Sequence, residues 1–305
     1  MSRSISRMGL NEWLLMIVLS VIWGSSFLFM GVLVRELPPL TITASRLILA
    51  ALLLNLALMP KGNPRFPWRD LLILGLTNNT IPYALILWGQ VYITSSLASI
   101  LNSTAPFFTS VLAQLLTDDE KLTKSNVAGA IVGFSGTLIM LGPDALRSNH
   151  NLVGQLMVLA GVICYSYATV FSRKLYGMGL SSGAIASGQL ITAALTALPL
   201  AIILDKPWTL PNLSARAWAS MICLSVLSTA LAYAIFFRVL ESAGATQVNL
   251  VTLLIPVTAT LLCTTLLGER LEDRHLLGMV VILIGLIIAD GRLGESLRRL
   301  RSVNS

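Results

Sequence analysis

The sequence predicts an all-α polytopic membrane protein, and three observations carry that reading. The chain of 305 residues is 55% hydrophobic and only 11% charged, where soluble domains are about one-quarter charged. Its mean hydropathy is +0.80. Apolar runs of the roughly 17–25 residues needed to cross a hydrocarbon core recur from one end to the other. Spans so continuously apolar are expected as helices, because backbone groups facing lipid must be satisfied within the segment, and barrel strands would alternate instead.

Between charged and proline-rich punctuation the chain divides into ten expected spans: Asn11–Val34, Leu40–Met59, Leu71–Tyr92, Ser96–Thr117, Ser125–Leu141, Leu152–Phe171, Ser181–Leu204, Ala217–Leu240, Thr246–Leu267 and Leu276–Ala289. The first is too long for a signal h-region, follows a polar segment bearing Arg3 and Arg7, and has no small-residue exit. It is expected to stay in place as an anchor. With the N-terminus inside, fourteen Lys and Arg fall on the cytoplasmic side, from Arg3 to Arg301, and six on the other: Arg35, Arg147, Lys206, Arg216, Arg270 and Arg274. That bias places both termini in the cytoplasm of a cell whose plasma membrane holds the chain. The net charge of +7 then reads as positive-inside signalling toward a lipid bilayer, and no soluble basic surface exists for nucleic acid. Cys164, Cys223 and Cys263 lie within spans without paired spacing, which supports neither a disulfide framework nor a zinc site.

An internal repeat organises the spans. Tyr83–Pro106 lies over Tyr233–Pro256 without a gap, matching Tyr83-Ala84 with Tyr233-Ala234 and Pro106 with Pro256. After a one-residue slip, Glu120-Lys121-Leu122 falls on Glu269-Arg270-Leu271, and Gly129 and Gly136 on Gly278 and Gly285. Ser25 with Ser166, and Ser45–Ile48 with Gly188–Ile191, match more weakly. Residues 1–145 and 146–305 therefore read as two five-helix repeats, the second with a cytoplasmic tail. An odd number of spans inverts the second copy in the membrane, a transporter architecture with its site near the midplane between the halves.

Several motifs also carry a family resemblance: Trp23-Gly24-Ser25-Ser26-Phe27, Arg46, Asn102-Ser103-Thr104-Ala105-Pro106, Glu120, Ile255-Pro256 and Gly268-Glu269-Arg270. In these the chain resembles the EamA-type branch of the drug/metabolite transporter superfamily, over nearly its whole length. The resemblance implies a ten-helix secondary transporter of small molecules working outward and does not name the substrate; small polar or amphipathic metabolites such as amino acids are the expectation. It leaves a multidrug exporter as the alternative, and a non-transporting membrane scaffold competes from outside the class. The small multidrug members use a glutamate within their first helix. Here Glu12 stands only at the entrance of the first span, so their proton antiport does not carry over.

Polar residues deep in the spans mark the candidate site. Trp23 lies about 18 Å in from Asn11 by helical rise, far from the interfacial belt, and its N–H needs a partner. Gly24, Ser25 and Ser26 offer either close helix approach or a cavity wall. Asn78 and Asn79 sit near mid-span before Pro82 and point about 100° apart, so at least one is expected to face a wet cavity. Similar patches comprise Asn102-Ser103-Thr104, Tyr165-Ser166-Tyr167, Ser225 with Ser228 and Thr229, and Asn249 with Thr252. One central cavity lined by Trp23, Ser26, Asn78, Asn79, Tyr83, Asn102, Tyr165, Ser228, Tyr233 and Asn249 is expected. Its aromatic walls and orienting amides are the usual make-up of a small-molecule pocket.

Arg46 is the one charge well inside an apolar run, either a partner for a substrate carboxylate or an arginine reaching outward to cap a neighbouring helix. Its repeat mate Gln189 keeps polarity without charge, which tilts the pair toward a structural role. Glu120 and Glu269 close the fourth and ninth spans, where an acid opposes the helix dipole and requires a compensating partner; a structural pair is favoured over a gate. The spaced glycines serve close packing within the chain or between two copies, as a homodimer. His150 and His275 read as loop residues, and no H-E-x-x-H, Walker A or G-x-S-x-G is present, so neither an enzyme nor a cofactor is expected. With no Asp, Glu or His at depth, facilitated diffusion or exchange is the simpler expectation than proton coupling.

Overall fold

The structure, a computed structural model, describes residues 10–57, 66–116, 124–141, 149–232, 235–236, 239 and 251–290. These are nearly all helical: α1 (Leu10–Leu33), α2 (Pro39–Ala57), α3 (Trp68–Gly75), α4 (Ile81–Tyr92), α5 (Ser95–Asn102), α6 (Ala105–Leu116), α7 (Lys124–Leu141), α8 (Asn149–Gly177), α9 (Ser182–Leu200), α10 (Ala215–Ser225), α11 (Val251–Leu267) and α12 (Asp273–Asp290). A π-helical turn over Leu76–Thr80 joins α3 to α4, and others follow α9 (Ala201–Asp205) and α10 (Val226–Leu231). Against the ten expected spans, five described segments are long and apolar enough to cross a membrane: Leu10–Leu33, Pro39–Leu56, Trp68–Tyr92, Asn151–Gly177 and Ser182–Asp205. His150 and His275, expected in loops, fall instead in the first turns of α8 and α12. Each precedes an apolar run whose helix begins three residues earlier than hydropathy suggests, at Asn149 for Leu152 and at Asp273 for Leu276.

The fourth expected span is not one helix but two, and its sequence explains the break. Pro106 has no N–H to offer the Asn102 carbonyl, and its ring crowds the preceding turn. The chain turns at Ser103-Thr104, whose hydroxyls fold back onto the Ile100 and Leu101 carbonyls at 2.6 Å each. The equivalent Pro256 sits inside an unbroken α11, so proline permits the break without compelling it.

Exposure follows helical period on α1. Leu10, Trp13, Leu14, Ile17, Val18 and Val21 point outward, whereas Met16, Leu19, Ser20, Gly24 and Phe27 are buried. An outward stripe of large apolar side chains over that length suits hydrocarbon and would be a liability in water. Inside, α1 packs on α10 and α11, α8 on α4, α5 and α6, α2 on α9 and α10, α3 on α9, and α7 on α12. These pairings interchange when the first five expected spans are swapped for the second five: α1–α11 for α8–α6, α4–α8 for α10–α1, α3–α9 for α10–α2.

The α7–α12 seam is made of glycine. A methyl on Gly285 would lie 2.6 Å from the Gly133 backbone nitrogen, and one on Gly136 would lie 2.8 Å from the Gly278 carbonyl. The Gly129-x-x-x-Gly133 face therefore meets a partner helix within the same chain.

On one side of the molecule, three carboxylates tie helix ends together across the two halves. Asp205, ending the π turn after α9, accepts from the Thr41 N–H at 2.6 Å and its hydroxyl at 2.9 Å, at the start of α2. Glu36 accepts from the Ser214 N–H at 2.9 Å and hydroxyl at 2.6 Å, at the N-cap of α10. Glu269 accepts from the Ser95 and Ser96 N–H groups at 2.8 and 2.9 Å and the Ser96 hydroxyl at 2.6 Å, at the start of α5. Each satisfies donors that a helix N-terminus leaves orphaned, with a charge that suits the dipole there. The Ser214 hydroxyl and N–H hold the Glu36 carboxyl below the usual carboxylate range. What that contact contributes is present above the unfolded-state pKa and lost as pH falls through the lower folded value.

Candidate functional site

A cavity of about 320 Å³ opens among α1, α2, α4, α5, α6, α8, the π turn after α10, and α11. Regular helix supplies Ser26, Arg46, Tyr83, Tyr165 and Thr169, and irregular backbone supplies two further polar groups. The break between α5 and α6 presents Asn102, and the π turn after α10 presents Ser228. A π turn adds a residue per turn and rotates the side chains beyond it, and such turns concentrate at functional sites. The turns at Leu76–Thr80 and Val226–Leu231 begin 150 residues apart, the same offset as the match of Tyr83 with Tyr233. Pro82 follows the first but Ala232 follows the second, so proline is not their common cause.

Trp23, Ser26, Tyr83, Asn102, Tyr165 and Ser228 all line this cavity, together with Phe27, Met30, Ile86, Thr169, Phe236, Val251 and Ile255. Two aromatic pairs form its walls: Trp23 with Phe236, ring centroids 5.7 Å apart and tilted, and Tyr83 with Tyr165, 6.1 Å apart and edge-on. The four residues Trp23–Ser26 divide by role. Trp23 and Ser26 face the cavity, Gly24 abuts Thr258 and Ala259 of α11, and the Ser25 hydroxyl donates to its own helix at Ile22 O, 2.8 Å.

Asn78 and Asn79 do not line the cavity. Asn78 Nδ2 donates to Gln189 Oε1 at 2.9 Å, joining the first π turn to α9. Asn79 is 0% exposed, and neither its Nδ2 nor its Oδ1 has a hydrogen-bond partner among the described residues. Tyr233, Asn249 and Glu120 lie outside the described residues. Glu269 sits at the α5 cap, bordering a separate cavity of about 330 Å³ with Arg35, Gln90 and Tyr92.

Arg46 lines the cavity at 5% exposure. Its guanidinium carbon lies 4.0 Å above the Tyr83 ring, Nε donates to Thr229 Oγ1 at 3.3 Å, and Nη1 reaches Met30 Sδ at 4.0 Å. Burial depth along α2 was readable from sequence; facing was not, because α2 is apolar on every side and its azimuth leaves no trace in the pattern. A larger cleft of about 660 Å³ lies between α2 and α10 beside Pro207–Leu213, walled mainly by Leu37, Ile48, Leu49, Leu210, Trp218 and Met221. Its polar lining is Thr41, Ser45 and Asn212, with no charged group, and the 320 Å³ cavity, with a buried charge, an amide, hydroxyls and two aromatic pairs, is the better ligand site.

Comparison with known proteins gives the chain's family and fold. An uncharacterized transporter of Archaeoglobus fulgidus is 27% identical over 286 residues, covering 92% of this chain and 98% of its own. A protein of Escherichia coli named "Probable amino-acid metabolite efflux pump" is 26% identical over 290 residues, 92% of this chain and 95% of its own. A crystal structure superposes with a TM-score of 0.63 at 20% identity, covering 92% of this chain and 96% of the other, a likeness of fold alone. The sequence profile of the EamA-like transporter family matches residues 11–142 and again 152–289, and the chain belongs to that family.

Proposed function

We propose that this protein is a secondary transporter that exports small polar or amphipathic metabolites, amino acids among them, across the plasma membrane. The observation that carries the reading is the 320 Å³ cavity, where Trp23, Ser26, Tyr83, Asn102, Tyr165 and Ser228 converge from both halves of the chain. The aromatic walls take an apolar group while amide and hydroxyls orient a polar one. The name of the Escherichia coli relative supports the amino-acid class and the outward direction. Ten spans in two inverted five-helix repeats, with both termini cytoplasmic, complete the proposal; the interchangeable helix pairings and the positive-residue bias support it. Asn78 and Gln189 hold the first π turn to α9, and the carboxylate caps tie helix ends of the two halves together.

Purified protein in liposomes, offered a panel of amino acids, sugars and cationic drugs, is expected to move an amino acid. Trp23→Ala is expected to lower that flux about fivefold at unchanged protein abundance, about 1 kcal/mol of lost stacking. No flux of any solute from a folded preparation would return the chain to the scaffold reading. Reporter fusions after Lys61 and Lys206 are expected to report opposite sides of the membrane; agreement between them would break the topology.

A further inference from the structure

We propose that Arg46 is the anion subsite of the cavity, taking a carboxylate of the transported solute, and that cationic solutes are rejected. The inference rests on the transporter reading and names the charge class of its substrate. A buried guanidinium is retained only when something compensates it. Arg46 makes no ion pair with any described residue. Its contacts are a hydroxyl, a thioether and a ring face. Nη2 has no hydrogen-bond partner among the described residues, although a guanidinium carries five donors. The described carboxylates Glu36, Asp205 and Glu269 are each engaged elsewhere, at helix N-termini.

A purely structural duty does not account for the charge. The repeat mate Gln189 makes the corresponding tie between halves, accepting from Asn78 at 2.9 Å, and Arg46 ties to Thr229 in the corresponding way. One tie is made by a neutral amide, so holding α2 against the π turn does not require a cation. What the cation adds faces the cavity. There a carboxylate would receive paired N–H donors in the fork geometry that guanidinium offers. Asn102 lines the same cavity, and its Oδ1 is buried without a hydrogen-bond partner among the described residues, an acceptor left for an N–H or O–H of the solute. The class that meets both is a carboxylate with an adjacent amino or hydroxyl group and an apolar body lying on the aromatic walls.

The test is a matched series on the full-length protein: L-leucine, 2-hydroxy-4-methylpentanoate, leucinamide and isoamylamine, with binding read by the shift in thermal unfolding and transport by flux. The two carboxylates are expected to bind wild type at least about tenfold more tightly than the amide and the amine. Arg46→Gln is expected to abolish that preference, and Arg46→Lys to retain part of it. Leucinamide binding as tightly as leucine overturns the inference, as does Arg46→Gln with an unchanged preference. Should Arg46→Gln fail to fold, the wild-type series alone decides. Flux of other solutes with no carboxylate bound overturns this inference and leaves the transporter reading standing; no flux of anything overturns both.

Discussion

Gly24→Ile is expected to remove most of the folded protein from the membrane. A methyl at Gly24 would already fall on Thr258 Oγ1 and lie 2.8 Å from the Ala259 backbone nitrogen. The second of these cannot swing aside, because it belongs to α11. Separating α1 from α11 also breaks the hydrogen bond from Thr258 Oγ1 to the Ser20 carbonyl, 2.8 Å. Overpacking of a well-filled interior costs up to about 3 kcal/mol, and the lost hydrogen bond adds about 1 kcal/mol. The expected reading is a large fall in monodisperse protein after detergent extraction and a thermal midpoint lower by several degrees. Gly183→Ala is the matched control: nothing lies within 4 Å of its added methyl, and its midpoint is expected to be unchanged or slightly higher. A wild-type midpoint for Gly24→Ile would mean that α1 and α11 do not cross at this glycine.

That crossing also marks what was legible in the sequence. Helix existence was, because the length of an apolar run is set by the bilayer: Asn11–Val34 was expected and Leu10–Leu33 is found, Ser125–Leu141 was expected and Lys124–Leu141 is found. The aromatic and polar residues at depth were legible as candidates, since each is costly in hydrocarbon. Rotation about the helix axis was not. Asn78 and Asn79 share a depth with the cavity, yet Asn78 turns to Gln189 and Asn79 is buried apart from it. Arg46, open in sequence between a substrate partner and a structural role and tilted toward the latter by its uncharged mate, lies on the cavity wall. The α5–α6 break was hidden because Pro106 and Pro256 look alike in sequence while only one interrupts its helix. The carboxylate caps join residues 164 to 178 positions apart, beyond any local pattern, and only the need for a partner at Glu269 could be read.

Glu269→Ala is expected to lower stability by about 2 kcal/mol, through the start of a helix 173 positions away. The Glu269 carboxylate receives three hydrogen bonds, two from the backbone N–H groups of Ser95 and Ser96 and one from the Ser96 hydroxyl. Thr94 caps only the next donor, the Leu97 N–H at 3.3 Å. Gly268, at φ 67°, takes the left-handed turn that ends α11 and delivers Glu269 to this position, a conformation glycine adopts without strain. Hydrogen bonds to a charged acceptor are worth about 1.5–3 kcal/mol, and an N-terminal cap about 1 kcal/mol. Water reaching the freed N–H groups through the adjoining cavity returns part of that, which leaves about 2 kcal/mol. Glu269→Gln is expected to fall between alanine and wild type, since one amide oxygen accepts where two carboxylate oxygens did and the charge facing the dipole is gone. Glu272→Ala serves as the control, because that carboxylate meets Arg274 of its own turn at 2.6 Å and caps no distant helix. Thermal midpoints of the three variants in one detergent order them. Glu269→Ala melting with Glu272→Ala and wild type would show that α5 does not depend on a carboxylate from the other half of the chain.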